Sequence, residues 1–391
     1  MGKFDRLTPL LESFTKHGPA GCSLLVARRG ETLYEHYVGY ADREAGTPIG
    51  PDTIYRIYSM SKVVTCVAAL MLYERGAYLL NDPLDEYLPE FKHMQVYQPT
   101  GDGKVEAVPA NNPILVKDLF KMTSGLTYPG DQSETQRHTA RVAGELERAL
   151  PVGGETSPVR ALVKALAEVP LAFDPGTRWQ YGFSHDVLGA LIEVLSGKRF
   201  SQFLDEEIFG PLGMADTGFR IAEHKRSRLC VVYDRAEDGT LSRNANPGLD
   251  VHFQPNAQFE SGGAGLLSTL GDYGRFARML AAGGTLDGAQ ILGRRTIELM
   301  ASQHLSPEQQ RDYNWGWQVG YGYGLGVRVM VDRPLGGSNS PAGEFGWSGL
   351  AGTWLSVDPA EELCAVYMQQ MLPSDEHYYQ PRLRSAVYGT I

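Results

Sequence analysis

The chain has 391 residues, of which 42% are hydrophobic and 21% charged, and its formal net charge is −10. That length buries a large core and suits two structural regions, in the composition of an ordinary soluble globular protein. The acidic excess argues against nucleic acid and anionic membranes as partners, and no apolar run reaches transmembrane length.

Met1-Gly2-Lys3-Phe4-Asp5-Arg6-Leu7 lacks the apolar core of a signal peptide, and Arg6 stands where a myristoylation signal wants Ser or Thr. Residues 4–16 read as an amphipathic helix with Leu7, Leu10, Leu11 and Phe14 on one face. Cys22 to Ala27 and Leu33 to Val38 read as strands joined by a turn at Arg29-Gly30-Glu31. Cys22, Cys66, Cys230 and Cys364 are scattered, with no Cys-x-x-Cys. Reduced structural thiols in a cytoplasmic protein are expected.

Tyr58-Ser59-Met60-Ser61-Lys62 opens the most apolar stretch, running through Val63, Val64 and Val67 to Leu72. A run of that length without a polar face predicts a helix buried nearly all round, stopped at Gly76. Ser59 and Lys62 then share its first turn and one face. A serine hydroxyl is a weak nucleophile that needs a base beside it. Burial disfavours charge, so a lysine in a dry pocket can lose its proton. The helix N-terminus adds positive potential where an oxyanion develops. The bland alternative is a helix cap beside a solvated lysine. The same pattern at Ser13-Phe14-Thr15-Lys16 is discounted, since His17-Gly18-Pro19 ends a helix there.

Further along, Gly101-Asp102-Gly103 marks a hairpin tip in the polar stretch 93–112, and Val116 to Met122 regains helical spacing. Residues 130–157 read as an exposed excursion, a lid or an oligomer contact. Ala161 to Ala167 and Asp186 to Leu195 read as helices, and 221–258 as irregular. A helix capped near Ser268, Thr269 and Asp272 follows, then strands at Gly322 to Val331, Gly352 to Val357 and Leu363 to Met368, then a helix over Tyr379 to Val387. The fold class is therefore α/β (α+β): a sheet built from both chain ends and flanked by helices. Residues 1–75 and 261–391 form a discontinuous domain, and 76–260 a mostly helical inserted domain.

Three more stretches carry site-like chemistry: Phe173-Asp174-Pro175-Gly176-Thr177-Arg178-Trp179-Gln180-Tyr181-Gly182, Ser261-Gly262-Gly263-Ala264-Gly265, and Phe345-Gly346-Trp347-Ser348-Gly349-Leu350. The first fixes a phenol on a loop, the second packs tightly, and the third is a small-residue edge where backbone approaches a ligand. Ser184-His185-Asp186 is contiguous, so it cannot line up as a triad and reads as a helix start, with His185 a pocket-lining candidate. No Gly-x-Ser-x-Gly elbow and no His-Glu-x-x-His occur, so neither an α/β-hydrolase route nor a metal is expected. Tyr313, Trp315, Trp317, Tyr321 and Tyr323 suit an acyl or alcohol pocket, the core or a dimer contact equally.

Together with Asp42-Arg43-Glu44, Met122-Thr123-Ser124-Gly125-Leu126 and Pro211-Leu212-Gly213-Met214, these stretches resemble, in order and spacing, the serine β-lactamase and penicillin-binding-protein superfamily. The likeness is greatest to class C-type β-lactamases and family VIII carboxylesterases, and it implies their antiparallel β-lactamase-like sheet. The resemblance also implies roles. Ser59 would be the acylated nucleophile, with Lys62 and Tyr181 a coupled general base and acid. The backbone N–H groups of Ser59 and Leu350 would form the oxyanion hole. Two departures matter. The family's Tyr-x-Asn is Tyr181-Gly182-Phe183 here, and its Lys-Thr-Gly is Trp347-Ser348-Gly349. In antibiotic-processing relatives that asparagine and lysine help hold the substrate's amide and carboxylate. Phe183 and Trp347 can do neither, and the esterase branch commonly carries a tryptophan-containing substitute. The expectation is a cofactor-free serine carboxylesterase for short or medium acyl esters. Trp347, Ser348, Gly349, Phe183 and His185 would contact the substrate. Acyl transfer, β-lactam or D-peptide cleavage and, last, a non-catalytic role are the alternatives. No membrane partner is expected, and a homodimer stays open.

Overall fold

The computed structural model of the protein describes residues 4–101, 103–149, 157–249, 253 and 257–391. From the N-terminal side come α1 (Leu7–His17), β1 (Gly21–Arg28), β2 (Glu31–Asp42), β3 (Thr47–Pro48) and α2 (Ser61–Glu74). The middle supplies α3 (Val116–Lys121), α4 (Glu134–Ala149), α5 (Pro158–Ala167) and α6 (Ser184–Ser196). The last part gives α7 (Leu270–Ala281), β4 (Tyr321–Tyr323), β5 (Arg328–Met330), β6 (Phe345–Gly346), β7 (Trp354–Asp358), β8 (Leu363–Gln369) and α8 (Glu376–Tyr388).

The strands form one eight-stranded antiparallel sheet in the order β4-β5-β6-β7-β8-β1-β2-β3, so both chain ends meet where β8 pairs with β1. Period-two burial explains why helices cover both faces. Leu363, Ala365 and Tyr367 of β8, with Leu24 and Val26 of β1, join Leu7, Leu11, Phe14 of α1 and Leu383 and Val387 of α8. The intervening Cys364, Val366, Met368, Leu25 and Ala27 join α7 and the main core instead. That core continues without a break into α2, α3, α5 and α6. In α2 every residue from Ser61 to Leu72 is buried, as its all-round apolar sequence requires.

Two expectations change. The Gly322–Val331 run is a hairpin, because Gly324 N–H closes on Val327 C=O at 2.8 Å and splits it into β4 and β5. The 130–157 stretch, expected to be an exposed excursion, contains α4, with Thr135 and Thr139 buried and Thr139 Oγ1 3.2 Å from Thr127 Oγ1. Its charge and small side chains belong to an amphipathic surface helix; residues 150–156 lie outside the described set. The 93–112 stretch is the expected hairpin, Gln95–Pro99 against Val105–Pro109, although Asp102 at its tip is not described. All four cysteines are buried and free, and no helix among the described residues is long and apolar enough to cross a membrane.

Candidate active site

A short antiparallel pair, Ile54–Arg56 with Leu267–Thr269, carries the chain into a tight turn over Tyr58–Met60, and α2 begins at Ser61. Ser59 thus sits on the turn that leads into the helix, not in its first α-helical turn. Tyr58 has φ of 41°, a conformation that costs a bulky residue about 1–3 kcal/mol and persists only where surroundings impose it. Those surroundings are visible. Tyr273 of α7 donates its hydroxyl to Met60 C=O at 3.0 Å, and Leu266 N–H donates to Ser61 Oγ at 3.0 Å. The turn is fixed from behind while Ser59 remains partly exposed.

Lys62 is fully buried, and its Nζ donates to Ser59 Oγ at 3.2 Å, Tyr128 OH at 2.9 Å and Gly263 C=O at 2.6 Å. Burial pushes the ammonium down, but the Tyr128 and Tyr181 phenols oppose it and the net direction is up. Burial likewise raises the Tyr128 phenol, which keeps it neutral. Burial thus acts on Lys62 in the expected direction, but in the resting site the two phenols outweigh it and favour the charged form. The Gly263 carbonyl is itself positioned. Asp186 Oδ1 accepts from Ser261 Oγ at 2.6 Å and Gly263 N–H at 3.2 Å, and Thr65 Oγ1 donates to Gly262 C=O at 2.7 Å.

Tyr181 meets Lys62 through its ring, with Nζ 4.5 Å from the centroid. Its hydroxyl accepts Trp347 Nε1–H at 3.1 Å, and the Tyr181 and Trp347 rings stack at 5.7 Å. Tyr128 stands edge-on to Tyr181 at 5.6 Å and to Phe183 at 4.8 Å. The two loops that carry these phenols are tied together. Gln180 N–H donates to Met122 C=O at 2.9 Å, Ser124 Oγ lies 2.9 Å from Ser184 Oγ, and a Cβ on Gly182 would meet Leu126 O at 2.3 Å. Only glycine permits that approach. Tyr128 was missed in the sequence, although it lies two residues beyond the Met122–Leu126 stretch.

The Trp347-Ser348-Gly349-Leu350 stretch continues β6 along the edge of β7. Ser348 bridges Trp354, and Gly349 N–H donates to Thr353 C=O at 2.8 Å. A Cβ on Gly349 would come within 2.4 Å of Ile57 O, which seats this edge against the turn carrying Ser59. Leu350 is 50% exposed at the tip. Ser348 Oγ donates to Glu376 Oε2 at 2.5 Å. Of the aromatic cluster, Trp315 touches both Tyr181 at 5.4 Å and Trp347 at 6.0 Å, and Trp317 stacks on it from the surface. Tyr313 and Tyr323 are core, and Tyr321 faces away to donate to Glu344 at 2.8 Å.

His185 is the site residue that the fold removes from the pocket. It is fully buried on α6, with Nε2 3.2 Å from Phe120 C=O and 3.6 Å from Cys66 Sγ. Burial, with the Lys62 charge behind it, pushes its pKa down to about 3, so it stays neutral. It is a packed first-turn histidine because α6 turns that face into the core. Ser184 and Asp186 beside it are also buried, in separate hydrogen bonds and no triad. Ser13 is exposed on α1, its hydroxyl donated to Leu10 C=O.

With this geometry in place, the family profile described as Beta-lactamase matches residues 7–388. The chain belongs to the beta-lactamase family. It is 30% identical over 359 residues to Esterase EstB of Burkholderia gladioli, covering 87% of this chain and 83% of that one. Two solved structures share the fold. EstCE1, a hydrolase with promiscuous acyltransferase activity, aligns with a TM-score of 0.81 at 24% identity, over 99% of this chain and 98% of that one. Unliganded simvastatin synthase (LovD) from Aspergillus terreus, as its selenomethionyl derivative, aligns with a TM-score of 0.84 at 22% identity and the same coverage. The chain is thus a serine hydrolase of the beta-lactamase fold, in the group that holds esterases and acyltransferases.

Proposed function

We propose that this hydrolase is a carboxylesterase for neutral, short- or medium-chain esters, of the family VIII kind, with Ser59 as nucleophile. The reading is carried by Trp347: where antibiotic-processing relatives place a lysine, an indole is bonded to the Tyr181 hydroxyl at 3.1 Å. Ser59 Oγ attacks the ester carbonyl as its proton passes to the Lys62–Tyr181 unit, whose working form is one proton short. The oxyanion is received by the N–H groups of Ser59 and Leu350. The carbon–oxygen bond to the alcohol breaks, and the unit returns the proton to the departing alkoxide. Water then attacks the acyl-enzyme by the same route, releasing the acid and free Ser59.

A β-lactam or D-peptide brings a carboxylate, and burying it beside Trp347 and Phe183 without a cation is unfavourable by several kcal/mol. A neutral ester packs its apolar ends there, each gaining about 1–3 kcal/mol. The test is burst and steady-state kinetics with p-nitrophenyl butyrate beside nitrocefin. The ester should lead in kcat/KM by at least roughly a hundredfold, about 2.7 kcal/mol. Trp347→Lys should narrow the gap. Equal turnover of nitrocefin would overturn the esterase assignment and leave the Ser59 chemistry standing.

Acyl transfer to another alcohol is the second reading. The aromatic surface leading from Trp315 to Trp317, which is 41% exposed, favours it by offering an acceptor an apolar landing. Added butanol should then divert acyl-enzyme to the butyl ester, measured by chromatography.

A further inference from the structure

One acid bonded to the Trp347-Ser348-Gly349 edge has no part in the acyl-transfer steps. Glu376 stands at the first position of α8, and its Oε2 accepts from Ser348 Oγ at 2.5 Å and Gln380 Nε2 at 3.0 Å. Oε1 has no hydrogen-bond partner among the described residues, and no described lysine, arginine or histidine forms an ion pair with the carboxylate. Both Glu376 and Ser348 are partly open to solvent. Ser348 directly follows Trp347, so this acid lies one residue from the indole bonded to Tyr181. It is also close enough to Tyr313 to add to the burial that keeps that phenol neutral. Tyr313 in turn packs on Trp315 at 6.0 Å.

A half-buried carboxylate without a direct ion pair is unfavourable until a cation or a proton arrives; Arg328 and His377 offset this only from a distance, and burial outweighs them. Burial already raises the Glu376 carboxyl above its ordinary range, the mark of a charge waiting for a partner. Trp347, next in sequence to the Ser348 that Glu376 holds, and Tyr313, which the Glu376 charge reaches, bring aromatic surface to the same edge, and aromatic faces draw cations. Serine keeps the carboxylate oriented without neutralising it, because a hydroxyl donates one hydrogen bond and carries no charge.

We propose that Glu376, at the edge of the aromatic wall built on Trp315 and Trp347, forms a subsite for a cationic group, a quaternary or tertiary ammonium borne by the acyl or the alcohol part of the ester. This rests on the esterase reading above and narrows its substrate class. The same charge repels carboxylates.

Two matched pairs of substrates test it, one for each side of the ester. On the acyl side, p-nitrophenyl 4-(trimethylammonio)butanoate is compared with p-nitrophenyl 5,5-dimethylhexanoate, its neutral isostere. On the alcohol side, acetylthiocholine is compared with S-(3,3-dimethylbutyl) thioacetate. The readout is the cation-to-neutral ratio of kcat/KM within each protein, so a general loss of activity cancels. The wild-type ratio should reach at least about tenfold in one series. Glu376→Gln should bring it to about one, and Glu376→Asp, which keeps the charge, should retain most of it. No cation preference in either series, or a preference that survives Glu376→Gln, overturns the subsite while hydrolysis of the neutral isosteres keeps the esterase reading. If none of the four esters is hydrolysed, the esterase reading itself fails and the subsite with it.

Discussion

Tyr128→Phe separates the two things that the Lys62 environment does. The substitution removes one of three oxygens around the buried ammonium, the one at 2.9 Å, and leaves Ser59 Oγ and Gly263 C=O in place. A hydrogen bond to a charged group contributes about 1.5–3 kcal/mol. Tyr128 is only partly covered, so water recovers some of that, and a net stability loss of about 1–2 kcal/mol is expected. The sign follows from linkage. The folded Lys62 is held above its ordinary value, so its contribution is fully present below the unfolded lysine's pKa and is lost only as pH rises through the folded one. Urea unfolding at neutral pH therefore reports all of it. Catalysis asks the opposite of the same group. The Lys62–Tyr181 unit must be one proton short to accept the Ser59 proton, so kcat/KM should climb with pH across the neutral range. Weakening the ammonium should move that ascending limb toward acid in Tyr128→Phe. The assay is p-nitrophenyl butyrate hydrolysis from pH 5 to about 10, corrected for spontaneous hydrolysis, with urea melts run beside it. A folded variant whose limb and stability both match the wild type would refute the claim that Tyr128 holds the lysine charged.

Ser59→Ala should abolish ester turnover in a folded protein, a barrier cost of at least several kcal/mol, while Ser13→Ala on the exposed face of α1 stays near wild type in the same assay. Tyr181→Phe and Lys62→Ala should each remove most activity, and the double variant should be little worse than either; strictly additive losses in kcat/KM would show independent roles. Glu344→Ala should lower unfolding free energy by about 3–5 kcal/mol in denaturant melts. It strands the buried guanidinium groups of Arg328 at 3.0 Å and Arg384 at 3.6 Å, neither of which bonds Ser59, Lys62 or Tyr181, so the ascending limb of the pH profile should keep its shape.

The local elements were legible because local chemistry dictates them. The all-apolar run after Ser61 had to be a buried helix, and Thr269 caps α7 by accepting Asp272 N–H at 3.1 Å, as its side chain suggested. The period-two runs near both ends had to be strands, and their placement in one sheet followed from helices between them. Ser59, Lys62, Tyr181 and Trp347 were named from pattern and resemblance, and the fold brings all four within one chain of contacts.

What pattern could not reach were contacts between segments far apart in sequence. His185 and Tyr181 are near neighbours along the chain, yet α6 turns one into the core against Phe120 and leaves the other at the pocket. Tyr128 becomes part of the Lys62 cluster only because Gly182 lets two loops close on each other. The charge state of Lys62 went the other way from expectation for the same reason. Burial is readable from an apolar sequence, but the Tyr128 and Tyr181 phenols arrive from loops much further along the chain, and they decide the sign. Glu376 comes later still, at the start of the last helix, and nothing local marks it. Composition and periodicity determined which segments fold and which faces they bury, because those depend on neighbours a few residues away. Beyond the local Ser59–Lys62 pair, which polar atoms meet in the site was decided by tertiary packing, since hydrogen bonds and charge interactions act over a few ångströms of space and take no account of distance along the chain.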